Sequence, residues 1–206
     1  MRSSIAAFDH LVLATPDLEA TAAWVAERTG IEASPGGPHV GKGTRNMLCS
    51  LSATSYLEIV GPDPEQPDPP LPRPFGIDDL AAAAMVAWAI AVPNMNAALQ
   101  AARAAGYDPG VASPMQRQRP DGVLLHWTLT PVVSTAVPFL IDWEDSPHPA
   151  ASAAPGLEIV GLEARHPRPD QFAETLRALG VMMGILPGFE ALVVELRGPI
   201  GSIEFG

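Results

Sequence analysis

The apolar and polar positions of this chain repeat one arrangement three times. From Phe8 to Ala14, FDHLVLA, the residues alternate with the period of two expected of a half-buried strand, and Thr15-Pro16-Asp17 closes the run. Thr15 or Asp17 suits a helix N-cap, and Pro16 is tolerated in a first turn. Leu18, Ala22 and Val25 follow at i, i+4 and i+7, one stripe of a helix that Gly30 ends. The second copy has a strand at Trp88–Val92, a helix start at Pro93-Asn94, a stripe of Met95, Leu99 and Ala102, and a stop at Gly106. The third has a strand at Leu157–Ala164, a helix opening at Pro169-Asp170, a stripe of Phe172, Leu176 and Leu179, and a stop at Gly180.

Strand-like segments follow each helix. They are Met47–Ser52 and Tyr56–Val60 in the first copy, and Val123–Thr130 and Pro138–Trp143 in the second. In the third, Ala191–Glu195 and Ser202–Phe205 flank a hairpin loop at Arg197–Gly201. A strand, a helix and then two or three antiparallel strands cannot bury both faces of their own sheet, so two units must pair. The expected fold class is α+β: tandem βαβββ modules forming a curved, open-barrel sheet with helices outside, plus a truncated third module. The pattern divides the chain into a first module at 1–62, a Pro-rich linker at 63–79, a second module at 80–146 and a C-terminal partial module at 156–206, packed on the same domain. A cup-shaped sheet carries its pocket on the concave face.

Composition narrows the classes of function. The chain has 206 residues, 47% hydrophobic and 17% charged, with a formal net charge of -11. That balance repels phosphate backbones and anionic lipid, so neither nucleic acid nor membrane is an expected partner. Cys49 stands alone, which rules out an intrachain disulfide, and it reads as a small buried residue. MRSSIAAFDH lacks the apolar stretch of a signal peptide, and the longest apolar run, Leu80 to Val92, is too short for a bilayer. A cytoplasmic protein that handles a small molecule, with a homodimer as one way to pair its modules, is the expectation.

The candidate chemistry gathers in the first module. Strand alternation puts His10 opposite Leu11 and Leu13, and Glu58 opposite Leu57 and Ile59, so both polar side chains point to the concave side. A carboxylate among apolar neighbours needs a cation or a donor, which makes His10 with Glu58 a candidate metal or substrate site. His126 is expected to face the cup from a second-module strand, with Leu125 and Trp127 on its other side. His39 lies in a Gly-rich turn, and Lys42 and Arg45 are rare positive charges for an anionic group on a ligand. Arg117 and Arg119 read as a solvated loop, and so does His148. Gly41–Asn46 lacks the spacing of a phosphate-binding loop.

These segments resemble a known family. FDHLV, GGPHVGKGTRN and YLEIVGPDP, with DGVLLHWTL and VPFLIDW later, are similar to the glyoxalase-like branch of the vicinal oxygen chelate superfamily. The resemblance implies the paired βαβββ architecture and metal ligands from the first and last strand of each module. Carried over, these are His10 and Glu58, with Asp142 near the position matching Glu58 and Ala87 where a second histidine would stand. Mixed imidazole and carboxylate ligation suits a divalent ion (Zn, Mn, Fe or Ni), and the residues themselves offer Glu58 and His126 as catalytic groups and His39, Arg45, Asn46 and Trp127 as substrate contacts. Isomerase, lyase and dioxygenase chemistries all fit such a site. The alternative is a binding protein that sequesters a small molecule without turnover, which the missing ligand at Ala87 favours.

Overall fold

The helices form where the capping chemistry and the apolar stripes coincide, in a computed structural model that describes residues 7–206. Helix α1 (Leu18–Thr29) starts at Asp17, whose side chain accepts from the Ala20 N–H at 3.0 Å. It ends at Gly30, which adopts φ 80° and returns its N–H to Ala26 O at 2.7 Å. Helix α2 (Met95–Ala104) is capped by Asn94, accepting from Ala97 N–H at 2.9 Å. Leu18, Ala22 and Val25 of α1 and Met95, Leu99 and Ala102 of α2 are buried, as the stripes require. Helix α3 (Asp170–Ala178) opens at Pro169 without a side-chain cap and buries Phe172, Thr175 and Leu176.

One eight-stranded sheet forms the body. Its strands are β1 (Ala7–Ala14), β2 (Ser34–His39), β3 (Thr44–Ser52), β4 (Ser55–Pro62), β5 (Ala84–Ala91), β6 (Ser113–Gln118), β7 (Leu124–Leu129) and β8 (Phe139–Asp142). They run in the order β2-β3-β4-β1-β5-β8-β7-β6. Each half has the same plan, with β4 parallel to β1 and β8 parallel to β5, and the halves meet along the antiparallel β1–β5 seam. The sheet curls until its edges nearly touch. Arg117 on β6 donates to Gly36 O on β2, and a Cβ at Gly37 would stand 2.4 Å from Gln118 O, so only glycine permits that approach.

The two edge strands are the ones the hydrophobic pattern does not reveal. SPGGPH in β2 and SPMQRQ in β6 carry prolines, which an edge strand tolerates because one of its sides needs no ladder bond. A second sheet, in the order β10-β9-β11-β12, comprises β9 (Glu158–His166), β10 (Ile185–Pro187), β11 (Ala191–Arg197) and β12 (Ser202–Phe205). Its strands pair in a different order from those of the first two units. It packs on the outer face of the cup, sharing one core with it: Leu11, Leu13 and Trp88 from the large sheet cluster with Leu192, Val194, Leu196 and Ile203. Trp24 of α1 meets Phe205, and Tyr107 meets Phe172 of α3. The concave face has a separate apolar lining that includes Val12, Ala87, Ala89, Trp127, Phe139 and Ile141.

The Pro-rich segment between the halves is built rather than slack. Arg73 pairs with Asp78 at 2.6 Å and Asp68 at 2.8 Å and donates to Gly43 O at 3.0 Å. This holds a tight helical turn, Pro74–Asp79, in which Phe75 takes the left-handed region at φ 62°. Among the described residues no helix is long and apolar enough to cross a membrane.

Because the C-terminal sheet shares the core of the cup, the two should unfold together. Leu196, wholly buried in that core, is expected to cost about 2–5 kcal/mol when cut to Ala. In denaturant titrations followed by Trp88 fluorescence, Leu196→Ala should lower the single transition midpoint. An unchanged midpoint, or a separate C-terminal transition, contradicts shared packing.

Candidate functional site

The concave face encloses an open cavity of about 780 Å3, within the range of small-molecule sites. One side is polar and comes from the first half. His10 on β1, Tyr56 and Glu58 on β4, and Asn46 on β3 point inward, and His39 joins them from the end of β2. The other side is apolar, with Trp127, Leu129, Phe139 and Ile141 from the second half. Pro74, Phe75 and Gly76 of the intervening turn and Glu190 of the C-terminal unit reach the rim. Glu190 is fixed there by accepting the Thr135 N–H at 2.6 Å.

His10 is held from behind. A bulge in the β1–β5 pairing between Phe8 and His10 leaves Asp9 fully buried beside it. The Asp9 carboxylate accepts from His10 Nδ1 at 2.5 Å, from Trp143 Nε1 at 2.9 Å and from His148 Nε2 at 3.0 Å. Burial alone would raise the Asp9 carboxyl, but the hydrogen bonds and charges of His10 and His148 outweigh it and hold it at about 2. An ionised Asp9 can only accept, so the proton of a neutral His10 sits on Nδ1 and leaves Nε2 bare toward the cavity. Tyr56 stacks on the His10 ring at 4.7 Å, and Phe139 meets it edge-on at 5.3 Å.

Glu58 faces His10 across the cavity floor, with Oε2 3.9 Å from His10 Nε2. Its other oxygen accepts from Asn46 Nδ2 at 2.5 Å. The second hydrogen of that amide meets His39 Nε2 at 3.2 Å, while His39 Nδ1 donates to Thr44 Oγ1 at 3.1 Å. Burial first, and the Arg117 charge as well, push His39 below its ordinary value and outweigh the opposing effect of Glu58. His39 is therefore a neutral spacer in an ordered chain. Glu58 Oε2 and His10 Nε2 are two proton-accepting atoms aimed at one space. Burial, reinforced by the Asp9 and Glu58 charges, lifts Tyr56 well above the usual phenol range, so its hydroxyl keeps its proton.

The structure brings His10, His39, Asn46, Glu58 and Trp127 into this cavity and places three other expected residues outside it. His126 is exposed on the convex side, because Leu125 and Trp127 turn inward to line the apolar half. Arg45 also points outward and pairs with Glu19 of α1 at 2.7 Å. Asp142 faces α2, where Oδ2 accepts the Met95 N–H at 3.2 Å and Oδ1 accepts from Glu144 N–H at 2.9 Å. Two expected loop residues are instead part of the site. His148 reaches Asp9 from a short helical turn, and Arg117 alternates with Met115 into the cavity. Asp9 itself could have been found as an Asp-His pair inside an otherwise apolar strand. Cys49 is buried, with its thiol pushed up to about 12 by burial, and Trp88 belongs to the outer core.

The residues do not bring together the His10, Glu58 and Asp142 ligand set that the resemblance implies. Among the described residues no group of three His, Cys, Asp or Glu is placed to hold a metal ion. His39 Nε2 is occupied by Asn46, Asp142 is turned to α2, and the second half offers Ala87, Ala89, Phe139 and Ile141.

A family model described as a glyoxalase-like domain matches residues 8–180. Comparison with curated proteins gives no significant match. Among solved structures, a hypothetical protein from Staphylococcus aureus is similar at 15% identity and a TM-score of 0.58, covering 98% of this chain and 85% of its own. Methylmalonyl-CoA epimerase from Mycobacterium tuberculosis is similar at 15% identity and TM-score 0.47, covering 73% of this chain and 96% of its own. A Streptomyces coelicolor methylmalonyl-CoA epimerase variant, in complex with 2-nitronate-propionyl-CoA, gives 18% and 0.46, covering 70% and 100%.

The buried groups give a pH signature with a definite sign. Asp9 is depressed from 3.8 to about 2, so its contribution is present above its unfolded value and disappears as pH falls through about 2, roughly 2 kcal/mol in all. His39 is depressed from 6.5, so the unfolded chain takes up its proton first and stability declines as pH drops below that value. Denaturation midpoints measured across this range should show both declines. Asp9→Asn should remove the lower one and His39→Gln the upper. A wild-type profile that is flat between neutrality and about pH 5 contradicts the His39 assignment.

Proposed function

The chain belongs to the glyoxalase-like domain family of the vicinal oxygen chelate superfamily, and from that premise we propose that it binds a small, largely apolar carbonyl compound and moves a proton beside the carbonyl. The observation that carries this reading is the facing pair at the cavity floor, His10 Nε2 and Glu58 Oε2, 3.9 Å apart. Two bases within reach of one bound carbon or oxygen can take a proton and return it, which is isomerase or lyase chemistry. Glu58 is the first acceptor, because Asn46 fixes its other oxygen and leaves Oε2 free to face the ligand. Asp9 fixes the His10 ring and its tautomer and supports positive charge on it when it takes a proton. The Tyr56 hydroxyl, which stays protonated, donates to an oxygen on which negative charge develops. The apolar wall of Trp127, Phe139 and Ile141 excludes water and receives the rest of the molecule.

A second reading is sequestration without turnover. It is favoured by the largely apolar wall that the second half contributes, with Trp127, Leu129, Phe139 and Ile141.

Proton exchange separates the two. Phenylacetone and phenylpyruvate in D2O are suitable probes, with the loss of the C–H next to the carbonyl followed by NMR. The wild type is expected to accelerate exchange over buffer, and Glu58→Gln to reduce that acceleration by about a hundredfold or more. Equal exchange in wild type and Glu58→Gln overturns the proton-transfer reading, and binding without exchange selects sequestration. Metal analysis of protein purified without chelator provides the companion check. A stoichiometric divalent ion that is lost in the His10→Ala, Glu58→Ala double variant would replace this reading with a metal-dependent one.

A further inference from the structure

Arg117 is the most deeply buried arginine in the described chain, and it has no carboxylate to meet. It is 3% exposed, lies on β6, and enters the cavity together with Ser113 and Met115. Its hydrogen bond is to a neutral acceptor, Gly36 O. Arg45, Arg73, Arg103, Arg119 and Arg165, all more accessible, each pair with an Asp or Glu within 4.0 Å. The chain has 23 acidic residues against 12 Lys and Arg, so carboxylates are abundant and this guanidinium is nonetheless left without one. Burial pushes Arg117 down, and the Glu58 charge opposes this from a distance. A buried, unpaired cation is costly unless something compensates it. A guanidinium that opens onto a ligand cavity is well placed to take a carboxylate in a charge-assisted, forked hydrogen bond.

We propose that the ligand of this cavity is an organic monocarboxylate with an apolar body, its charge held by Arg117 and its body laid along Trp127, Phe139 and Ile141. This rests on the reading that the cavity is the binding site, and it names the class of molecule bound there. A single charge suits the site better than a phosphate does. Lys42 and Arg117 are the cations along the cavity and Glu58 and Glu190 the carboxylates, so a doubly charged phosphate would meet no surplus of positive charge there. The carboxylate at Arg117 anchors one end, so the carbon beyond it can be presented to the Glu58 and His10 side of the same cavity. Gly36 keeps this corner open. A Cβ there would stand 2.0 Å from Asn46 Oδ1 and 3.1 Å from Arg117 Nη1, crowding the two groups that face the ligand end.

The test compares isosteric ligands that differ in charge. Binding of 3-phenylpropionate, 3-phenylpropionamide and phenyl phosphate to the full chain is measured by calorimetry, with quenching of Trp127 and Trp143 fluorescence as a second readout. The carboxylate should bind at least about tenfold more tightly than the amide, as expected of a charge-assisted contact. Arg117→Met should bring that ratio to about one, and Arg117→Lys should restore part of it. Arg117 also closes the sheet, so the wild-type ratio serves as the test if Arg117→Met fails to fold. Equal binding of carboxylate and amide overturns the assignment and leaves the cavity reading standing. Binding of none of the three removes both, and a preference for phenyl phosphate overturns the choice of carboxylate. A ratio that survives in folded Arg117→Met overturns the role of Arg117.

Discussion

The buried carboxylate of Asp9 is the constraint on which the site depends. It stands at a bulge beside the β1–β5 seam and binds His10, Trp143 and His148 at once. Two of these partners lie far along the chain, beyond β8, so one charged group ties the first half of the cup to the segment that leaves the second. An ionised carboxylate with no exposure is tolerable only when its lone pairs are filled, and three ring N–H donors fill them. The same bonds orient His10 toward the cavity, so the interaction that makes the fold tolerate the charge also prepares the chemistry.

Around this anchor the cup divides its work unequally. Its two halves share a plan of strands and helices, yet the first gives the cavity its cluster of His10, His39, Asn46 and Glu58 and the second a mainly apolar wall with Arg117 at its edge strand. In the first half polar residues point inward and contact one another, with Asn46 bridging Glu58 and His39. In the second, Leu125, Trp127, Phe139 and Ile141 point inward. Such a cavity separates recognition of a ligand's polar end from burial of its body. The C-terminal sheet completes the arrangement from outside, sealing the convex core and sending Glu190 to the rim.

Much of the fold could be read in the sequence because its signals are local: Asp17 and Asn94 cap, Gly30 adopts the left-handed turn, and three stripes bury as spaced. Strand alternation also put His10 and Glu58 on one face, which the β1–β4 register places side by side, with His10 opposite Tyr56 and Val12 opposite Glu58. Where the reading failed, it assumed that polar residues face the cup in both halves. That rule inverted His126 and Trp127, because the apolar half reverses it. Asp142 is expected in the site from its match to Glu58 and Arg45 from its charge, whereas an adjacent helix terminus and a helix side chain claim them. Arg117 and His148 were obscured by their surroundings, an edge strand with a proline and a Pro/Ala-rich break. Their roles come from contacts 81 and 139 residues distant in sequence, which no local pattern encodes.

The central claim is that Asp9 sets the His10 ring so that Nε2 is bare toward Glu58. Long-range proton–nitrogen NMR of the histidine rings at about pH 8, where a histidine is ordinarily neutral, reads this tautomer directly. The account predicts a His10 ring protonated at Nδ1, with Nε2 showing the shift of an unprotonated nitrogen. A His10 ring protonated at Nε2, with Nδ1 bare against the Asp9 carboxylate, would contradict it.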